Sequence, residues 1–437
     1  MILIVDVDNC FASCERKRNP DLEGKPVIVL SAGEAAVIAR SNEAKKIGIK
    51  MGEPFFRMKE RFRPDQYIAL PADHLYYKQV SDELMALLRE ECPNLYQYSI
   101  DEAFSDMAGV SVDLKQWGEQ LHLKIKARIG IPVSIGIAPS KTLAKIASHF
   151  AKKYSAYHHC CLIDTDGKRV KALSLTPIEE VWGIGRRYQV RMRHEGIATA
   201  YDLAQRTHGW MKTYFPQPLV NTRDELNGID CITMREEGPN KSVSNTRTFP
   251  QMKDTLEELA TEVSNFAADC AETLRRQHTM ARGLSVFVAT NHYRTDLPQY
   301  DQAAAMKFET PTNLSTEIIR EARALLKTIY RKGYRYKRAG VTVTSVISDR
   351  AVQTSIFDYD AEQHHKQQQL DTVMDDINRK VGRGALKLGS QVRKETSPRP
   401  SLKGERIKTG KKNEKKDNAN GLLLGNGNND QGGRGDR

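Results

Sequence analysis

The 437-residue sequence predicts an α+β fold divided among several domains, on three observations. Apolar runs alternate with amphipathic stretches around two acidic motifs up to about residue 165, the pattern of helices packed on a sheet. A helical, strand-poor stretch begins near Ser174, and beyond Lys241 the order becomes strand, helix, strand, strand, helix, strand. The length alone is that of about three ordinary domains.

The β-branched run Ile2 to Val5 reads as a buried strand that delivers Asp6 at its edge, with Asp8 two residues on. Asn9 to Glu15 leads into a helix, and Gly24 to Leu30 holds a second strand after a turn. Ala39 to Gly48 reads as a short helix closed by glycine. Tyr76 to Cys92 is amphipathic, with Val80, Leu84, Leu87 and Leu88 on one face. Tyr96 to Ile100 and Ala103 to Met107 are spaced to pair as a hairpin with Asp101 and Glu102 at its bend. A helix over Leu114 to Gly130, a strand over Val133 to Ile137 and a helix over Ser140 to Lys153 complete this part.

Between helices near Ser174 lies Val181-Trp-Gly183-Ile184-Gly185, the pattern of a helix-hairpin-helix turn whose exposed N–H groups can hold a phosphate. Arg186, Arg187, Arg191 and Arg193 follow it. The βαββαβ module runs through Val243 to Phe249, Leu256 to Gln277, Gly283 to Ala289, Ala304 to Phe308, Thr316 to Tyr330 and Arg338 to Val346, the ferredoxin-like split order. Arg331, Lys332, Arg335, Lys337 and Arg338 cluster where its last helix meets its last strand, a run that fits either a solvated face or a nucleic-acid backbone. Ser348 to Asp358 reads as a linker carrying Gln353, Ile356 and Phe357, whose apolar pair either folds back onto the preceding domain or plugs a partner's pocket with Gln353 supplying hydrogen bonds. A helix over Asp360 to Val381 follows, and after Gly389 the Lys-, Asn- and Gly-rich chain is expected to be a disordered basic tail.

The formal net charge is +12. Residues 393–437 hold twelve Lys and Arg against six Asp and Glu, so 12 − 6 = +6 sits in the tail and +6 in the body. Both point to a polyanionic partner. Seven irregularly spaced cysteines argue against a disulfide framework. His158-His159-Cys160-Cys161, read as extended strand, would point its side chains to opposite faces and so not close a zinc tetrahedron. The opening apolar run is far too short for a signal or spanning segment, which predicts a soluble, cytoplasmic protein without a membrane partner. Two acidic elements in one chain suggest a two-metal site, since hard divalent cations take carboxylate oxygens and a pair can clamp both oxygens of a phosphoryl transfer.

Five motifs in order give the chain a family likeness: Asp6 to Glu15 (DVDNCFASCE), Val37 to Gly52 (VIARSNEAKKIGIKMG), Ser99 to Phe104 (SIDEAF), Ser134 to Lys145 (SIGIAPSKTLAK) and Trp182 to Gly185 (WGIG). From Met1 to about Ser390 the chain resembles the Y-family translesion DNA polymerases, most closely the UmuC-like branch. The resemblance implies a right-hand polymerase: a palm of residues 1–10 and 76–165, small fingers over 11–75, a helix-hairpin-helix thumb over 166–235 and a little finger over 241–349. Residues 350–390 would hold a clamp-binding peptide and helix, and 391–437 the tail.

It further implies low-fidelity, template-directed synthesis past damaged bases in an SOS-type response, with Asp6, Asp101 and Glu102 as ligands of two Mg²⁺ ions beside the backbone carbonyl of Val7. Asp8 is left as a structural hydrogen-bonding residue. Phe11 falls at the steric gate under the sugar. Arg40, Asn42, Lys45 and Lys152 are expected at the triphosphate, Asn42 and Lys45 on the fingers helix where many relatives carry Tyr and Arg, Arg40 one turn earlier as a substitute, and Lys152 from the palm, with Ala39 and Ser41 as short side chains near the nascent pair. Lys141 and Lys145 are expected to face solvent or DNA. Gly183, Gly185, Arg186, Arg187 and the 331–338 cluster would meet primer-template DNA, and Gln353, Ile356 and Phe357 a sliding clamp. Accessory subunits or a recombinase filament are further partners that the resemblance allows. A cyclase with a palm-like fold would leave the downstream modules without purpose. A catalytically silent DNA- and clamp-binding regulator would have no reason to keep acids that repel one another.

Overall fold

The computed structural model describes residues 1–234, 241–350, 361–382 and 384–392. Gln353, Ile356, Phe357 and the basic tail lie outside the described residues.

The chain opens with β1 (Ile2–Val7), α1 (Cys10–Arg18), β2 (Val27–Leu30), β3 (Val37–Arg40), α2 (Asn42–Lys46), α3 (Phe55–Arg61), β4 (Ile68–Pro71) and α4 (His74–Glu91). It continues through β5 (Leu95–Gln97), β6 (Glu102–Asp106), α5 (Leu114–Ile129), β7 (Val133–Ala138), α6 (Lys141–Lys153) and β8 (Cys160–Leu162). A run of helices follows: α7 (Asp166–Leu175), α8 (Arg186–His194), α9 (Ala200–Ala204), α10 (His208–Tyr214) and α11 (Gln217–Leu226). The last module holds β9 (Ser242–Lys253), α12 (Leu256–Arg276), β10 (Thr279–Thr290), β11 (Asp301–Thr312), α13 (Ser315–Ile329), β12 (Tyr336–Ser348) and α14 (Ala361–Val381).

The first sheet has the order β5-β6-β1-β7-β8, which puts the opening strand at its centre. Alternation along β1 divides its side chains between two cores. Leu3, Val5 and Val7 pack with residues of α4 and α5, while Ile2 and Ile4 join Phe104, Leu143 and Ala147 under α6. Asp6 shares the period of Ile2 and Ile4 and so falls on the α6 side. Gly136 of β7, opposite Ile4, lets that helix approach: a Cβ there would lie 2.0 Å from the Ala144 carbonyl oxygen and 2.4 Å from the Ser148 nitrogen. Ser140 caps α6, its hydroxyl accepting from the Leu143 N–H.

A separate three-stranded sheet, β3-β2-β4, builds the small core of Ile28, Leu30, Val37, Ala44, Ile49 and Met58. In the last module the order is β11-β10-β12-β9. Neighbours are all antiparallel, so β9 runs parallel to β10 across β12, and β11 parallel to β12 across β10. Each βαβ unit is therefore split by a strand of the other, as the element order predicts. α14 returns to this module through charge: Arg275 reaches Asp375 at 2.7 Å and the buried Asp371 at 3.2 Å. Among the described residues, no helix is long and apolar enough to cross a membrane.

Three local expectations are corrected. The helix expected over Ala39 to Gly48 is strand as far as Arg40 and helical only over Asn42–Lys46, because Ser41 is extended and caps α2 through its hydroxyl. Glu102 is not in the bend with Asp101: it is the first residue of β6, paired with Asp6. His158 and His159 are not extended, with φ of 49° and 62°. They form a left-handed turn before β8, and His159 stacks flat on His122 with ring centroids 4.1 Å apart.

Candidate active site

The acidic cluster is built by two neighbouring strands and the helix that covers them. Asp6 and Glu102 are directly opposed partners of β1 and β6, so their side chains leave the sheet on the same side. Two like charges in that position repel, and each is met by an ammonium from α6. Lys152 Nζ lies 2.8 Å from Asp6 Oδ1 and Lys145 Nζ 2.7 Å from Glu102 Oε1. The two lysines are seven residues apart, two helical turns, and so share a face. Asp101 sits at the turn into β6, its carbonyl accepting from the Val7 N–H at 3.0 Å and its Oδ1 from the Ser99 hydroxyl at 2.5 Å.

Burial pushes the Asp6 carboxyl up to about 6. The Lys152 ammonium opposes that shift, and Glu102 and Asp101 add to it. Asp8 does not line the cleft: its carboxylate accepts from the Ser134 hydroxyl at 2.9 and 3.1 Å and shares Lys152 Nζ with Asp6 at 3.4 Å. A hydrogen-bonding role for Asp8 agrees with this geometry.

Asp6, Val7, Asp101 and Glu102 line a cleft of ≈450 Å³ together with Phe11, Ala39, Arg40, Lys45 and Lys152. Phe11 lies on Tyr77 with ring centroids 4.5 Å apart and planes at 16°. Tyr77 is fully buried, and its hydroxyl donates to the buried Glu15 carboxylate at 2.6 Å, which makes a rigid backing for the Phe11 ring. Burial, with the charges of Lys152 and Arg40, holds the Lys45 ammonium below its ordinary pKa. These cations therefore gather around a space suited to an anion.

The triphosphate residues expected from the sequence are not all brought together. Arg40 reaches the cleft from the end of β3 rather than from a helical turn, and its guanidinium donates to the Ile49 carbonyl. Asn42 does not itself line the cleft; it starts α2, and its amide oxygen accepts at 3.0 Å from Asn9, which does line it. Ser41 is spent on capping and on the Val27 N–H. Lys141 and Lys145 do not stand free in solvent: Lys141 is buried against Asp230, and Lys145 is paired with Glu102.

The elements expected to meet DNA phosphates are surface features. Gly183 adopts φ of +86°, which glycine takes without strain, and Gly185 precedes α8, whose first residues Arg186 and Arg187 are exposed. Arg331, Lys332, Arg335 and Arg338 are exposed between α13 and the start of β12, while Lys337 donates to the Pro250 carbonyl at 3.2 Å.

Hard carboxylates and a backbone carbonyl suit Mg²⁺ rather than a softer metal. Among the described residues no three acidic, His or Cys groups close into a cage, since Asp6 and Glu102 are each held by a lysine. Opposed carboxylates held apart by ammonium groups remain a fit for a stronger cation, which would replace the lysines.

Sequence reasoning missed the ring of Tyr98, Phe104 and Trp182 around Lys145. The spacing of Lys145 and Lys152 on one helix face was the available signal that both serve the acids.

The central acidic sheet, the small second sheet, the helical segment and the split βαββαβ module form the architecture of a Y-family DNA polymerase. A Y-family DNA polymerase chimera of Dbh and Dpo4 has this fold, with a TM-score of 0.66 at 23% identity over 80% of this chain and 100% of its own. Residues 5–149 match the impB/mucB/samB family, and residues 240–356 match that family's C-terminal domain. Protein UmuC of Salmonella typhimurium is 37% identical over 402 residues, 90% of this chain and 93% of the relative. DNA polymerase IV of Methanoculleus marisnigri is 32% identical over 302 residues, 68% of this chain and 82% of the relative. The chain belongs to the impB/mucB/samB family, within the UmuC-like branch of the Y-family DNA polymerases.

Proposed function

We propose that the protein is a low-fidelity, template-directed DNA polymerase that adds deoxynucleotides to a primer 3′-hydroxyl opposite damaged bases, in an SOS-type response. The observation that carries this reading is the directly opposed pair Asp6 and Glu102, with Asp101 beside them, in a cleft floored by Phe11. In this reading residues 1–10 and 76–165 are the palm, 11–75 the fingers, 166–235 the thumb and 241–349 the little finger.

Asp6, Asp101, Glu102 and the Val7 carbonyl would hold two Mg²⁺ ions, which when bound acidify the primer hydroxyl and neutralise phosphate charge. The chain's own part is to position and screen. Ser99 orients Asp101 through the hydroxyl it donates. Lys152, released from Asp6, would stay within reach of the triphosphate, with Lys45 and Arg40 lining the same cleft. Phe11 occupies the volume that a 2′-hydroxyl would need. Ala39 presents little bulk to the nascent pair, which suits a distorted template base. The Gly183 to Gly185 turn and the 331–338 cluster would follow DNA phosphates, giving binding that is independent of sequence and weakened by salt. Gln353, Ile356 and Phe357 would dock a sliding clamp.

The test is primer extension by the purified full chain with Mg²⁺, alongside Asp101→Asn/Glu102→Gln. Extension by the wild type and its loss by at least a thousandfold in the double variant are expected. Equal activity in both would end this mechanism. Primer-template binding without extension by the wild type would make the protein a DNA-binding regulator instead.

A further inference from the structure

Lys145 stands in a box assembled from distant parts of the chain. Its Nζ is 2.7 Å from Glu102 Oε1 and lies 4.9, 5.4 and 5.9 Å from the ring centroids of Tyr98, Trp182 and Phe104. Tyr98 meets Phe104 and Trp182 edge-on at 5.7 and 5.6 Å, and the Trp182 indole N–H donates to the Tyr98 hydroxyl at 3.3 Å. Tyr98 precedes the acidic bend and Phe104 follows Glu102 on β6. Trp182 comes from the helical segment, one residue before Gly183, whose turn is read above as a contact to DNA.

Glu102 cannot serve its lysine and a divalent cation fully at the same time. When it turns to the cation, Lys145 loses its counter-ion at a position where its side chain is only 16% exposed. An unpaired, poorly hydrated ammonium is costly, and aromatic faces within about 6 Å are the available compensation. The indole is the strongest of these faces. The box thus lowers the cost of releasing Glu102, and one wall of it comes from the hairpin of the helical segment.

Resting on the polymerase reading above, we propose that Lys145 and Trp182 are a positioning pair that sets the affinity of the acidic cluster for divalent cations. Lys145 weakens that affinity by competing for Glu102. Trp182 restores it by keeping the displaced ammonium stable, so the seating of the thumb hairpin is felt at the cation site.

The experiment is calorimetric titration of the full chain with Mg²⁺ in the absence of DNA and nucleotide, for the wild type, Lys145→Met, Trp182→Leu, Trp182→Phe and Lys145→Met/Trp182→Leu. Trp182→Leu is expected to weaken Mg²⁺ binding about two- to thirtyfold, the range that a lost cation–π contact supplies. Trp182→Phe keeps an aromatic face and stays within about threefold of the wild type. Lys145→Met binds Mg²⁺ more tightly than the wild type, and the double variant matches Lys145→Met because Trp182 acts only through the ammonium. A Trp182→Leu loss that persists undiminished beside Lys145→Met would mean a merely structural tryptophan and overturn the pairing. Should Trp182→Leu not fold, weaker or unchanged binding by Lys145→Met overturns it alone. Equal affinity in every variant sinks this inference and leaves the polymerase reading intact, whereas no binding by the wild type sinks the metal site itself.

Discussion

Removing the Phe11 ring should turn the enzyme from a deoxynucleotide-selective polymerase into one that also accepts ribonucleotides. The ring is stacked on Tyr77 at 4.5 Å and meets His74 edge-on at 5.5 Å. Tyr77 cannot retreat, being fully buried and tied to Glu15 at 2.6 Å. A 2′-hydroxyl pressed onto this floor therefore faces an overpacking cost of about 1–3 kcal/mol rather than a soft neighbour. That is roughly a 5- to 150-fold penalty on ribonucleotide incorporation, and Phe11→Ala should remove most of it. The fold should survive, because the half-buried ring contributes about 1–3 kcal/mol through its contacts, less than a fully buried Phe. The assay is the ratio of kcat/KM for a deoxynucleotide and its ribonucleotide opposite one template base. Tyr77→Leu should relax the ratio in part, by letting Phe11 sink. An unchanged ratio in Phe11→Ala, with deoxynucleotide incorporation retained, would refute the gate.

Three further outcomes are expected. Asp6 titrates at about 6 in the metal-free fold against its usual 3.8, so between these values the fold holds a proton that the unfolded chain has released. Metal-free stability from this group is thus fully present below about pH 4 and falls by about 2–3 kcal/mol as pH rises from about 4 to 6, with little change beyond; denaturant melts at pH 4 and 7 should show most of the fall in wild type and not in Asp6→Asn, and Mg²⁺ should offset it at pH 7. Gly136→Ala drives a methyl into the α6 backbone and should cost about 3 kcal/mol or more, read as a lower Tm; an unaltered Tm would contradict the close approach of helix and sheet. Arg275→Ala strips Asp371 of its charge partner, and a broken buried pair costs about 3–5 kcal/mol; limited proteolysis should then cut at α14 first, and an unchanged cleavage pattern would count against docking through this pair.

The sequence by itself determined the strands that carry the acids, the helices that cover them and the split order of the last module. Each of these rests on local periodicity, and β1 shows why: its alternation of Leu3 and Val5 against Ile2 and Ile4 already assigns Asp6 to a face. The two acidic motifs were legible as well, since a carboxylate on a strand and an acidic pair at a bend are local features, although Glu102, expected in the bend with Asp101, starts β6. The sequence misled where a single cap outweighed propensity. Ser41 ends a strand and starts α2, so Arg40 and Asn42 were given to one helix although they point to different places.

Only the tertiary structure decided which cation each acid meets. Register alone makes Asp6 and Glu102 face one another. The glycine at 136 lets α6 lie close enough for Lys152 and Lys145 to reach them. Trp182 joins the site from some eighty residues beyond Glu102 through packing of the helical segment on the sheet. Such partnerships depend on distances across the fold, and no local pattern of residues encodes a distance between chain segments that far apart.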